Sequence, residues 1–142
     1  MGYRRSSREL AMQALYYIDM GKNDQDQALR LFCINFEPSE DIKPFFESLV
    51  HGTLAHLPDI DRKIETFSSN WKLSRMSGVD RNVIRIAVYE LMFCSDIPAK
   101  VAINEAIDIG KKYGTADSGS FINGVLDAIS IDIDKQSSTK AP

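Results

Sequence analysis

The chain has 142 residues, 44% hydrophobic and 26% charged, which places it outside the range of disordered sequences and leaves enough apolar material for one self-sufficient core. A formal net charge of -3 excludes a protein that coats nucleic acid indiscriminately, so any anion-binding surface has to be local. No apolar run approaches the roughly 18 residues of a membrane span, and Cys33 and Cys94 are too few and too far apart for a disulfide framework. A cytoplasmic protein with two reduced, buried thiols is expected.

Helical periodicity runs through the whole chain, and no segment alternates as a half-buried strand would. In the first helix Leu10, Ala11, Ala14, Tyr17 and Ile18 share a stripe that Gly21 ends. A second helix is expected over residues 24–35, with Ala28, Leu31 and Phe32 inward, before Pro38, Ser39 and Glu40 interrupt the pattern. The spacing of Ile42, Phe45, Phe46, Leu49, Val50 and Leu54 predicts an amphipathic helix over residues 39–56. Pro58 and Asp59 restart the chain into a fourth helix carrying Ile60, Ile64 and Phe67, and Trp71 and Leu73 fall in a short turn that packs its edge.

Ser77 and Asp80 have capping-box spacing at the start of a fifth helix, expected over residues 79–95. This helix is apolar on nearly all sides and so belongs at the centre of the fold, with Arg81 and Arg85 leaving it on one side a turn apart. Pro98 begins a sixth helix that Gly114 terminates. Asp117 is placed to cap a seventh, whose buried stripe is Phe121, Ile122, Val125, Leu126 and Ile129. Residues 1–133 thus read as one helical domain. Residues 134–142 carry no apolar pattern and read as a mobile polar tail.

Residues for chemistry are sparse. His51 and His56 are five apart and the cysteines lie in different helices, which does not suit a metal. No nucleophile elbow is present, and Gly110-Lys111-Lys112 lacks both the earlier glycine and the strand of a phosphate loop. The chain therefore reads as a binding protein, not an enzyme, with no cofactor and no metal.

Arg4, Arg5 and Arg8 stand three and four residues apart, so on a helix all three leave the same side, and Met12 and Tyr16 continue that face. Like charges so close repel one another, and cations are disfavoured at the positive end of a helix dipole. The arrangement makes sense if a polyanion supplies the missing charge. A solvated helix end is the simpler alternative. A second polar patch, Lys111, Lys112, Tyr113, Gly114, Thr115, Ser118 and Ser120, surrounds the turn before the last helix. The free N–H groups of that helix start suit a phosphate or a base edge, and ordinary capping by Asp117 and Ser118 accounts for the segment equally well.

The segments RRSSRELAMQALY, FFESLVHGTL, NWKLSRMSGVDRNVIRIAVYEL, IPAKVAINEAIDIGKKYG and SGSFINGVLDAI, in this order over nearly the whole chain, resemble the NusB family of bacterial transcription antitermination factors. The resemblance implies an all-α fold of two packed three-helix bundles with about seven helices. It implies binding of single-stranded boxA RNA, as a heterodimer with the ribosomal protein NusE, to keep RNA polymerase elongating on ribosomal RNA operons. Carried over by position, the RNA contacts are Arg4, Arg5, Arg8, Gln13, Lys112, Asp117, Ser118 and Phe121, and the partner surface includes Tyr16, Asp80 and Arg81. Phe121 is equally a core residue by its periodicity, and Asp117 equally a cap. The chain departs from many relatives in having three arginines at its start, broken by Ser6 and Ser7.

Neutralising about three phosphates gives a salt slope near -0.7 per contact, roughly -2 in all, so binding by this protein alone is expected to be weak and NusE to add affinity. The alternative reading is a helical homo-oligomer or adaptor whose arginine face pairs with acidic residues of another protein.

Overall fold

A computed structural model describes residues 2–68 and 71–140, with side chains to residue 137. Seven α-helices follow in order among the described residues: α1 Tyr3–Met20, α2 Gln25–Asn35, α3 Lys43–Ala55, α4 Leu57–Phe67, α5 Gly78–Phe93, α6 Ala99–Tyr113 and α7 Ser118–Lys140. A 3-10 turn, Leu73–Arg75, lies between α4 and α5. No described helix is long and apolar enough to cross a membrane.

Local chemistry sets most of the boundaries. The Asp24 carboxylate accepts the Gln27 N–H at 3.0 Å and starts α2, and Ser77 Oγ accepts the Asp80 N–H at 3.0 Å and starts α5, each satisfying a donor that the helix leaves free. Pro44 and Pro58 occupy first turns, where a missing N–H costs nothing. Helix α3 begins later than its periodicity suggests, because the N–H groups of Ile42 and Lys43 first close a turn on the Ser39 carbonyl. Helix α7 runs on to Lys140, whereas the apolar pattern stops at Ile133. The continuation is polar and extends a helix already nucleated on the core, which removes the initiation cost. Ala141 and Pro142 of the expected tail lie outside the described residues.

The two three-helix groups are α1 with α2 and α3, and α5 with α6 and α7. Helices α1 and α3 pack on α5 to join them, and α4 closes against α5 and α7. Helix α5 touches every other helix except α2 among these contacts, as its nearly all-round apolar surface requires. Val83, Ile84, Ile86, Ala87 and Val88 are all buried there, in one continuous core with Leu15, Phe46, Leu49, Ile60, Ile64, Ile122, Leu126 and Ile129.

Four inward assignments change. Tyr17 of α1 is 42% exposed and Leu31 of α2 is 36% exposed, because α2 turns Phe32 inward, against the Tyr17 and Phe46 rings, and leaves Leu31 at the edge. Cys33 and Cys94 are half-buried free thiols, not enclosed ones. Ser7, which interrupts the arginines in sequence, is fully buried: its hydroxyl donates to the Tyr3 carbonyl at 2.6 Å and lies 3.1 Å from that of Ile42, tying α1 to the start of α3.

Candidate nucleic-acid interface

The three N-terminal arginines separate in space. Arg4 is exposed, with its guanidinium 4.6 Å from the centre of the Phe45 ring. Arg5 runs along α6, donating through Nε to Glu105 at 2.8 Å, through Nη2 to the other oxygen of the same carboxylate, and to Asp108 at 2.9 Å. Arg8 turns into the molecule: it is 3% exposed and donates to Glu90, itself 1% exposed, at 2.7 and 3.0 Å, and to Glu105 at 3.1 Å. The shared outward face expected from spacing is thereby corrected. Arg8 lies in helical phase with Ala11, Met12, Leu15 and Ile18, all buried, so it extends the inward stripe of α1. The negative charge for Arg5 and Arg8 comes from carboxylates of α5 and α6.

The Arg5 hydrogen bond, against a smaller opposing effect of burial, holds the Glu105 carboxyl below its ordinary 4.5. A lowered carboxylate contributes stability above the unfolded value and loses it as pH falls through the folded one. The difference in melting temperature between the wild type and Glu105→Gln is therefore expected to be full at pH 6 and to shrink progressively as pH falls below 4.5; parallel thermal melts from pH 6 to 3 check it.

One turn past Arg5, Glu9 binds the end of α6, accepting from Lys112 Nζ at 2.9 Å and Tyr113 Oη at 2.8 Å. Arg5, Glu9 and the half-buried Gln13 thus follow one another along α6, and the two polar patches of the sequence become one continuous surface. Gly114 makes the turn beyond α6 in close quarters, for a Cβ there would lie 2.7 Å from the Gly110 carbonyl oxygen and overlap Ser118 Oγ. Ser118 is 1% exposed, and its hydroxyl accepts the Thr115 N–H at 3.0 Å. Asp117 accepts the Phe121 N–H with its main-chain carbonyl at 3.1 Å. Its exposed side chain takes no hydrogen bond among the described residues.

Phe121 is half-buried and meets Trp71 edge to face, with 6.1 Å between ring centres, while Trp71 is 51% exposed. The two rings, with Arg75, Ser77, Asp80 and Asp117, line an open cleft of about 310 Å³. Asp80 Oδ1 is buried there without a hydrogen-bond partner among the described residues. Tyr16 lies against the same helix start: a Cβ on Gly78 would be 2.5 Å from Tyr16 Cε2. Arg81 is held by Asp19 at 2.8 Å and by the Leu73 and Met76 carbonyls. Arg85 shares Asp19 at 3.5 Å and pairs with Asp61 at 2.8 Å. Arg81 and Arg85 do leave α5 on the same side, both reaching Asp19, and Tyr16 packs beside Gly78 at the helix start that carries Asp80 and Arg81. Among the described residues no group of three or more His, Cys, Asp or Glu side chains could hold a metal ion.

The acids that organise this surface, Glu9, Glu90, Glu105 and Asp108, were not anticipated from sequence. Only Glu90 left a signal, as a carboxylate in the middle of an otherwise apolar, central helix, which demands a buried cation.

A model of the NusB family matches residues 5–130. The chain belongs to the NusB family. It is 54% identical over 136 residues to the transcription antitermination protein NusB of Desulfatibacillum aliphaticivorans, covering 96% of this chain and 95% of that one. The NusB of Desulforapulum autotrophicum is 53% identical over 133 residues, covering 92% and 93%. Among solved structures, T. maritima NusB superposes with a TM-score of 0.80 at 35% identity over 97% of both chains. A crystal structure of antitermination factors NusB and NusE in complex with dsRNA superposes at 0.82 with 28% identity over 93% of this chain and 98% of the other. The all-α architecture of two packed bundles is the NusB fold.

Proposed function

We propose that this protein is a cytoplasmic, non-catalytic antitermination factor that binds single-stranded boxA RNA as a heterodimer with NusE and promotes processive transcription of ribosomal RNA operons. The observation that carries the reading is the polar surface that runs from Arg5 across Glu9 to Lys112 at the end of α6, with the exposed Arg4 next to Arg5 on α1 and the exposed Asp117 in the turn beyond. The antitermination relatives and the NusB–NusE–dsRNA complex support it. Arg4, Arg5 and Lys112 hold the RNA backbone, Gln13 flanks them, and Phe121 with Asp117 receives a splayed base. Arg8 and Ser118, both buried, support this surface from beneath. Tyr16, Asp80 and Arg81 face NusE.

Fluorescence anisotropy of labelled boxA RNA, with and without NusE, tests the reading. The expected result is binding that NusE strengthens, that falls with salt at a slope of about -2, and that drops about tenfold or more in Arg4→Ala/Arg5→Ala. Equal binding of wild type and variant, or equal affinity for a duplex of the same sequence, sinks it. The competing reading, self-association through the arginine face, predicts a dimer that the same variant dissociates, read by equilibrium sedimentation.

A further inference from the structure

The Arg5 cluster carries a charge balance that runs against its assigned role. Arg5 and Arg8 supply two cations, and Glu90, Glu105 and Asp108 supply three carboxylates, all joined by direct ion pairs. The group as a whole is negative by one. An RNA phosphate approaching Arg5 meets a guanidinium whose Nε and Nη2 donors are taken and whose surroundings repel it.

The three carboxylates are not equally committed. Glu90 is 1% exposed and paired with the buried Arg8. Glu105 is 19% exposed and shared by both arginines, so it stays bound to Arg8 whatever Arg5 does. Asp108 is 52% exposed and touches only Nη2 of Arg5, which is itself 38% exposed. It is the one member that can leave without stranding a buried charge. A carboxylate on a guanidinium also has the charge and oxygen geometry of a backbone phosphate.

We propose that Asp108 is an intramolecular competitor for the RNA backbone, occupying on Arg5 the position a phosphate takes, so that RNA binds by exchange with it. The inference rests on the RNA-binding reading above. The exchange discriminates between anions: a lone phosphate gains little over the tethered carboxylate, whereas a strand that also engages Arg4 and Lys112 displaces it. Asp108 thus sets affinity and selectivity through Arg5, without itself contacting RNA.

The test is a double-mutant cycle in single-stranded boxA RNA binding, at two salt concentrations, with the full chain checked for folding by circular dichroism. Asp108→Asn is expected to bind about two- to fivefold tighter at low salt, the range an exposed ion pair spans, with a salt slope steeper by about 0.7. In an Arg5→Ala background the same substitution is expected to change nothing. Asp127→Asn, at an exposed acid on α7 that makes no ion pair with Arg5, removes the same charge and is expected to leave affinity unchanged. A gain that survives Arg5→Ala, or that Asp127→Asn reproduces, reduces the effect to net charge and overturns the proposal. RNA binding by the wild type with no gain in Asp108→Asn also overturns it and leaves the RNA reading intact. Absence of RNA binding in every variant overturns both.

Discussion

Replacing Arg8 by alanine is expected to lower the free energy of unfolding by about 3–5 kcal/mol, because it leaves the Glu90 carboxylate in the core without its cation. Arg8 and Glu90 are 3% and 1% exposed and share hydrogen bonds of 2.7 and 3.0 Å, so neither solvent nor a surface side chain replaces the lost partner. Glu90→Ala strands the guanidinium instead and costs somewhat less, since Glu105 remains 3.1 Å away. The paired replacement Arg8→Met/Glu90→Leu removes both charges at similar volume and is expected to recover most of the loss. Urea unfolding of the wild type, Arg8→Met, Glu90→Leu and the paired variant, followed by circular dichroism, gives the coupling directly. Two independent additive losses would contradict the buried pair. The same series separates folding from recognition, for the paired variant keeps Arg4, Arg5 and Lys112 and should retain RNA binding. Loss of binding in a stably folded Arg8→Met/Glu90→Leu protein would instead place Arg8 on the RNA.

The second large effect lies where α6 meets α7. Gly110 is buried, and a Cβ on it would overlap Cδ1 of Ile122, a side chain with no exposure. Gly110→Ala is therefore expected to destabilise by about 1–3 kcal/mol, the usual cost of forcing a methyl into a filled core, although alanine is the better helix former by about 1 kcal/mol. Thermal unfolding checks the sign, and a more stable variant would show that Ile122 has room to turn. Because Phe121 adjoins Ile122 and begins the same helix, a shift of α7 also moves the Phe121 ring against Trp71. RNA affinity should then fall in Gly110→Ala further than in Gly124→Ala, where a Cβ meets nothing within 4 Å.

The residues of this surface divide along the same physical line. Arg4, Lys112 and Asp117 are exposed, and their placement on a helix start, a helix end and a turn was legible from local patterns alone. The fate of Arg5 was not, because its partners are 100 and 103 residues away. The spacing of Arg8 admits two readings, with Arg4 on an outer face or with Ala11, Met12 and Leu15 on an inner one. Choosing between them requires Glu90 on the opposing helix. Ser118 likewise could have offered its hydroxyl outward, until the closeness of Gly110, Gly114 and Ser118 turned it onto the Thr115 N–H.

What the sequence by itself determined is the set of helices, the cap at Ser77, the central position of α5 and the family. Each depends on residues three or four apart or on composition along one segment, and such interactions exist before the chain folds. What only the tertiary structure decided is which charges remain available. Ion pairs across α1, α5 and α6 join residues 62 to 103 positions apart, and their partners are chosen by how helices pack, a many-body outcome with no periodicity to read. The sequence shows three arginines at one helix start; the fold buries one, ties a second to two carboxylates, and leaves Arg4 in the open.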